Sequence, residues 1–345
     1  MRSKSVKIGA GIAITVVALY FFLKGVDGHA VAESFKRVNP ITAALVVVLV
    51  IFSLFLRGAR WGLLLPDEPG ASKKGLFPLA TVAFMINSVL PARIGEAARV
   101  YFLCKNNRYS VHASLGSVAF ERVLDSLLYG IFLMFPIFFV DLAEKKFFGT
   151  VDVIVPAHIA AAGVAGIIGA ILFYRFFPNL FVRIGGAIAL RSPALLAKGI
   201  RHGLKLMSSA TAWLFDLKKV AGVAVLSPLI VLCYGLCLWL LANMLGISLG
   251  PLQATFVMSV VAFGVAVPSS PGYIGPLHLA CKEGLVLFGA NPADAVTVAI
   301  LYHLLSWTPV VVTGIFFYFR MNLSIREVKK EGSEAQRAKE SRASS

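Results

Sequence analysis

Eight apolar stretches run through this chain, and two of them are broken at their centres by proline and glycine. The first, Leu76–Cys104, contains Asn87-Ser-Val-Leu-Pro91-Ala-Arg93-Ile-Gly95-Glu96. The second, Leu252–Gly289, contains Pro268-Ser-Ser-Pro271-Gly272-Tyr273-Ile-Gly275-Pro276. Each flank has about 10–17 residues, too short at 1.5 Å per residue to cross a hydrocarbon core of ~30 Å as a straight helix. Proline removes a backbone donor and clashes with the preceding turn, so a continuous helix through either break is costly. Two readings remain: kinked full spans, or, more cheaply, re-entrant hairpins that enter and leave on one side. Broken backbone at depth is tolerated where protein or a wet cavity covers it. Pro91, Gly95, Pro271, Gly272 and Gly275 are the expected hinges.

Five other stretches reach the roughly 20 residues that a span needs: Ile41–Leu65, Val111–Val140, Val153–Phe177, Val220–Leu245 and Ala293–Phe319. Lys7–Leu23 is shorter. Arg2 and Lys4 would suit a signal peptide, but no small-residue cleavage site follows Leu23, so it reads as a retained first span. With 58% hydrophobic and 14% charged residues, the chain is neither a soluble globular domain nor a disordered one. The expected fold is an all-α polytopic membrane protein with about six transmembrane helices plus two re-entrant helical hairpins. The four cysteines lie in apolar stretches without metal or redox spacing and read as packing residues.

The net charge of +16 would suit nucleic acid, but the charges fall between apolar runs rather than on one soluble face. Six spans and two non-crossing hairpins put both termini on one side. With that side cytoplasmic, 24 of the 33 basic residues lie inside, five lie outside (Lys24, Lys36, Arg37, Lys145, Lys146) and four lie at depth (Arg93, Arg99, Arg122, Lys282). This is the bias of the positive-inside rule, and it places the chain in the cell inner (cytoplasmic) membrane as a multi-pass protein. A stretch at about 192–217 repeats Leu196, Ile200, Leu204, Met207, Thr211 and Leu214 at helical spacing, with Lys198, Arg201 and Lys205 off the stripe. It reads as an amphipathic cytoplasmic helix on the anionic leaflet, serving as an elbow between halves. The charged, Ser/Ala-rich tail 321–345 is expected to be disordered and the transmembrane domain to end near 320.

Residues 40–140 and 220–320 repeat the same order of span, broken stretch and span. Pro91-x-x-Ile94-Gly95 matches Pro271-x-x-Ile274-Gly275 at an offset of 180, and an offset of 181 sets Arg122 over His303 and Asp125 over Ser306. One extra span between the halves inverts them. Broken apolar segments at equivalent positions of inverted halves point to a transport site near the midplane.

Arg93, Glu96 and Arg99 recur at i, i+3, i+6, and Glu121, Arg122 and Asp125 lie midway along the Val111–Val140 span. An unpaired charge at mid-bilayer costs at least about 2.5–3.5 kcal/mol, so these six must pair or face a wet cavity. One reading is a formally neutral ion-pair network that pins hairpin to span. The other is a head-group receptor: a helix starting after Pro91 presents N–H groups and a positive dipole end, and Arg93 beside it suits an anionic group such as a lipid phosphate. Glu96 and Asp125 would orient the arginines or receive an amine. Tyr273 reads equally as gate or interfacial aromatic, and His303 as a satisfied core histidine rather than a proton relay. Lys282 and Glu283 follow His278 and are expected to snorkel or pair. No nucleotide loop, metal spacing or nucleophile elbow is present, so no metal, no cofactor and no enzymatic activity are expected.

Three motifs, Asn87…Leu90-Pro91-Ala-Arg93-Ile-Gly95-Glu96-Ala-Ala-Arg99, then Phe120-Glu121-Arg122-Val-Leu-Asp125, then Pro268-Ser-Ser-Pro271-Gly272-Tyr-Ile-Gly275, resemble the membrane-embedded flippase-like domain of lysylphosphatidylglycerol synthases, also called the UPF0104 family. The resemblance covers about residues 5–320. It implies outward movement of aminoacylated phosphatidylglycerol in bifunctional relatives, whose separate cytosolic synthase domain has no counterpart among the residues after the last span here. It also implies that Arg93, Glu96, Arg99, Glu121, Arg122 and Asp125 are the family's polar motif residues. His303 stands where an arginine is expected. The function expected is a lipid translocase taking a phospholipid or other polar lipid between the two hairpins. The alternatives are a non-transporting partner presenting lipid to a lipid-synthesising enzyme, or a small-solute or ion transporter. A homo-oligomer is compatible with each of these.

Overall fold

The computed structural model describes residues 2–90, 94–139, 146–147, 150–266 and 271–323. Pro91, Arg93, Pro268 and the tail from residue 324 onward lie outside the described residues. The described chain is nearly all helix. The first half holds α1 (Arg2–Leu23), α2 (Gly28–Lys36), α3 (Pro40–Leu64), α4 (Leu76–Val89), α5 (Ile94–Asn107) and α6 (Val111–Phe139). A short antiparallel ribbon follows, β1 (Lys146–Phe147) with β2 (Val151–Asp152), in which Lys146 faces Asp152 and Phe147 faces Val151. Then come α7 (Ile154–Phe176), α8 (Pro178–Arg191), α9 (Ala194–Thr211), α10 (Leu217–Met244), α11 (Pro251–Gly264), α12 (Pro276–Leu287) and α13 (Pro292–Arg320).

Local chemistry sets the boundaries. Asn39 caps α3 by accepting from the Ile41 amide at 2.8 Å, with Pro40 in the first turn. Asn291 and Pro292 open α13 in the same way, and Asp216 caps α10 through the Lys218 and Lys219 amides. Helices α3, α7, α10 and α13 are long and apolar enough to cross a membrane, and the pair α1/α2, bent by 80°, is a fifth candidate. Several such helices are what a polytopic membrane protein requires. At 29 residues α6 is also long enough, but it carries Glu121, Arg122 and Asp125.

Helices α4 and α5 have 14 residues each, α11 has 14 and α12 has 12, so each is only about 18–21 Å long. Asn87 of α4 accepts the Gly95 amide at 2.7 Å, which ties the start of α5 to the end of α4. A Cβ at Gly95 would overlap the Ala83 carbonyl and the Asn87 side chain. Between α11 and α12 a 3₁₀ turn, Pro271–Tyr273, leads into α12, with Gly272 at φ +76, Tyr273 at +58 and Gly275 at +97. Glycine adopts such angles at little cost, and tyrosine rarely does.

Helix α3 lies along α10, α4 packs on α13, and α11 packs on α6. Within the broken pairs α5 folds back on α4 and α12 on α11, with α12 also closing on α13. Four apolar clusters result among the described residues, two of them large. One joins Val46, Val50 and Leu54 of α3 to Leu238 and Leu241 of α10 and the buried faces of α11, α12 and α13. The other joins Trp61 to Leu79 and Ile86 of α4 and Phe102 and Leu103 of α5.

Helices α2 and α8 and the ribbon fall where the sequence suggests loops. In the amphipathic stretch Thr211 and Leu214 of the expected stripe are buried and Ile200, Leu204 and Met207 half-buried, whereas Leu196 is exposed. Ala197 and Ala210 join the inward face, with the Ala210 backbone so close to Gly116 of α6 that an added Cβ would sit about 3.0 Å away. Small side chains win this position because they let the helices approach closely.

Candidate functional site

The charged residues meet where α3, α5 and α6 face one another. Asp125 accepts from Arg60 Nη2 at 2.6 Å and from Arg57 Nη1 at 3.1 Å. Glu121 lies 2.7 Å from Arg99 Nη2 and 2.7 Å from Arg122 Nη2, with Arg60 at 3.6 Å and Arg57 at 3.9 Å. Arg122 also reaches Asp125 at 3.4 Å and Glu96 at 3.9 Å. The Arg99 guanidinium stacks on the Trp61 ring at 3.6 Å, and Trp61 Nε1 donates to Ser117 Oγ at 3.0 Å. Arg60 Nη1 reaches Ser227 Oγ of α10 at 3.5 Å.

Two of these arginines were placed elsewhere by sequence reading. Arg57 and Arg60 were counted with the inside loop, yet they are buried in the bundle and complete the network. The expected balance of three acids against three bases is thereby corrected. Among the described residues, four arginines (57, 60, 99, 122) face three carboxylates (Glu96, Glu121, Asp125), an excess of one positive charge. The signal was available: both arginines lie inside the apolar stretch Ile41–Leu65, one turn apart.

The network divides into two parts. Arg60, Arg99 and Glu121 are fully buried and hold α3, α5 and α6 together. Arg57, Glu96, Arg122 and Asp125 line a cavity of about 390 Å³ that also reaches Asn87, Gly272, Tyr273 and His303. The side chains of Arg122 and Glu96 remain about one-third exposed, at 34% and 32%, whereas Arg99 and Glu121 are absent from the cavity wall. The cavity lies between the two broken pairs. Trp307 Nε1 of α13 donates to the Ser88 carbonyl of α4 at 3.2 Å, and the turn at Gly272 lies against the same two residues. On its far wall His303 Nδ1 meets His278 Nε2 of α12 at 3.2 Å. Trp307 lines the cavity and His278 lies behind its wall, and neither is among the residues to which the sequence motifs point.

Beside the cavity runs an apolar groove of about 990 Å³ walled by α1, α6, α7, α11 and α12. Ser126 of α6 and Phe263 of α11 line both spaces, so polar cavity and apolar groove share a boundary. Glu283 is the one charged residue on the groove wall among the described residues. No group of three or more His, Cys, Asp or Glu side chains is placed to hold a metal ion among the described residues.

The chain is similar to glycosyltransferase AglD of Haloferax volcanii, 25% identical over 96% of this chain but only 57% of that protein, so it spans just over half of that relative's length. It is also similar to the UPF0104 membrane proteins MJ1078 (27% identical, 71% of this chain and 98% of that protein) and MJ1595 (26%, 38% and 41%), both of Methanocaldococcus jannaschii. Residues 8–314, nearly the whole described bundle, match the family described as lysylphosphatidylglycerol synthase TM region, and the chain belongs to that family.

Proposed function

We propose that this protein moves a phospholipid or modified lipid across the cytoplasmic membrane, with the head group in the polar cavity and the acyl chains in the adjoining groove. The observation that carries the reading is the shared wall at Ser126 and Phe263. A polar chamber next to an apolar channel is complementary to an amphiphile, and less so to a small solute, which needs no groove. The cavity wall carries two arginines, Arg57 and Arg122, against two carboxylates, Glu96 and Asp125, so the arginines suit an anionic group such as a phosphate and the carboxylates accept a neighbouring amine.

In this reading α1, α3, α6, α7, α10 and α13 are the six spans, and α4/α5 and α11/α12 are re-entrant pairs in inverted halves. Support comes from lengths and packing. Helices α4 and α11 both have 14 residues and α6 and α13 both have 29. Exchanging the halves turns the α4–α13 contact into the α11–α6 contact and the α3–α4 contact into the α10–α11 contact. Both termini are cytoplasmic by the distribution of basic residues, although moving Arg57 and Arg60 to the interior lowers the inside tally.

The test is reconstitution into liposomes carrying head-group-labelled phosphatidylglycerol, with label exchange between leaflets followed in time. Wild-type protein should accelerate exchange, and Arg122→Gln should slow it about tenfold, the loss expected when one charge-assisted contact goes. An unchanged rate in a folded Arg122→Gln protein would remove the cavity from the mechanism. The likeness to a protein named as a glycosyltransferase supports a second reading, in which this domain presents lipid to a biosynthetic enzyme. A co-purifying enzyme whose activity needs this chain, without leaflet exchange, would favour it.

A further inference from the structure

The head-group reading leaves one buried titratable pair unused, His278 with His303. Their hydrogen bonds assign the protons. The Gly275 amide donates to His278 Nδ1 at 3.4 Å, so that nitrogen carries a lone pair; the side chain at the third position of α12 thereby caps its own N-terminus. Neutral His278 then holds its proton on Nε2, which donates to His303 Nδ1 at 3.2 Å. His303 in turn keeps its proton on Nε2. That nitrogen is buried, and the Gly272 backbone lies near the ring without forming a hydrogen bond of good geometry. The Phe22 ring of α1 covers His278 at 5.3 Å.

A further proton has two places to go, His278 Nδ1 or His303 Nδ1, and either one breaks a hydrogen bond of this chain. We propose that the His278–His303 pair is a proton-binding site whose occupancy releases the N-terminus of α12 from its cap. The proton, taken from water, goes to His278 Nδ1, because the 3.4 Å bond to Gly275 is the weaker of the two. The remaining bond, now imidazolium Nε2–H to His303 Nδ1, becomes charge-assisted and stronger. The new cation sits at the positive end of the α12 dipole, which repels it from the cap position.

The surroundings carry this local change outward. Gly275 is at φ +97 directly beneath α1, where a Cβ would meet the Thr15 carbonyl and Ala18. Helices α1 and α12 are two walls of the apolar groove. On α12 itself the pair has Cys281, Lys282 and Glu283 for neighbours, with Lys282 3.7 Å from Glu283 and donating to the Phe21 carbonyl of α1. Helices α4 and α11 carry no ionisable side chain. Lys146 of β1 pairs with Asp152, and Asp294 at the far end of α13 pairs with Arg37. Tyr302 of α13 and Tyr234 of α10 share the cavity wall with His303, as do Arg57 of α3 and the α5/α6 charges Glu96, Arg122 and Asp125. The fixed charges are paired among themselves, which leaves the two imidazoles as the groups that can take up a proton as pH falls.

Hydrogen–deuterium exchange of the full chain in lipid nanodiscs tests this, read on peptides covering residues 273–281 at pH 8 and pH 4 and corrected for intrinsic exchange rate. Wild-type protein should lose about tenfold or more of its protection at the lower pH, as release of a helix-terminal amide requires. His278→Gln retains a capping carbonyl but takes up no proton, so its protection should change less than about twofold. Equal pH-dependent loss in His278→Gln, or no loss in wild type, overturns the proposal. If that variant does not fold, ¹⁵N spectra of histidine-labelled wild-type chain decide, with His303→Gln assigning the signals. One proton shared by a coupled pair supports the site, and two independent titrations or two rings neutral at pH 4 overturn it. Neither measurement involves lipid movement, so this inference and the translocation reading fail separately.

Discussion

The α4/α5 and α11/α12 pairs are alike in length and in turn sequence but are filled with different chemistry. In the first, α5 carries Glu96 and Arg99 into a network with Arg57, Arg60, Glu121, Arg122 and Asp125. In the second, the corresponding helix carries His278 toward His303, and the positions over Glu121 and Asp125 are Tyr302 and Ser306. The two pairs are therefore held by two kinds of contact. Arginine–carboxylate pairs stay charged across physiological pH, so the first pair is held permanently. The second is held by hydrogen bonds of neutral imidazoles, which under the proposal above a single proton disrupts. The first pair is thus anchored by ion pairs and the second by uncharged contacts.

The largest effect is expected at the anchor. Glu121→Ala leaves Arg99 and Arg60 buried without their shared partner and should cost roughly 3–5 kcal/mol, read as loss of folded protein or a large fall in melting temperature in detergent. The equivalent change in the other half, Tyr302→Phe, should cost about 1 kcal/mol or less, because it removes one hydroxyl. Similar losses for the two would break the contrast. Next come the glycines of the second turn. Gly275→Ala forces a side chain to φ +97 against Thr15 and Ala18, and a loss of about 1–3 kcal/mol is expected. Gly272→Ala, at φ +76 with its nearest neighbours 3.7–3.8 Å away, should fall at the lower end of that range. Equal melting temperatures would mean that α1 does not clamp the turn.

The smallest effect sits outside the membrane, in the loop that follows α3. Asp67 accepts from Lys219 at the start of α10 at 2.6 Å and from Lys73 at 2.8 Å, and these hydrogen bonds hold its carboxylate down at about 2. Its folded value lies below the ordinary 3.8, so the stabilisation is complete above about pH 4 and disappears as pH falls through about 2. Asp67 is largely exposed, so Asp67→Asn should cost only about 0.2–1 kcal/mol at neutral pH, less in high salt. A melting-temperature difference that persists at pH 2 would show that Asp67 does not link the halves by charge.

Much of the fold was legible because its signals are local. The apolar runs Ile41–Leu65, Val220–Leu245 and Ala293–Phe319 fall on α3, α10 and α13 without reference to anything distant, and the breaks near Gly95 and Gly275 are written in glycine and proline. The candidate site was legible in part. Glu96, Arg122, Asp125, Asn87, Tyr273 and His303 line one cavity, but Arg99 and Glu121 are withdrawn from it into the packing. Asn87 serves at least in part to hold Gly95. Arg57 escaped because its position near the end of an apolar stretch resembles a snorkelling end, and only the neighbour across the interface distinguishes the two.

The amino-acid sequence alone determined the order of the long apolar helices and where two apolar stretches must break, since hydrocarbon admits little besides closed hydrogen-bonded helices and proline acts on its own turn, but it did not show α2 or α8. Only the tertiary structure decided which charges meet, which face a cavity and which face each other. Pairing depends on the rotation and register of helices far apart in the chain: Arg60 finds Asp125 across 65 residues and Trp307 finds Ser88 across 219, and no local pattern encodes those distances.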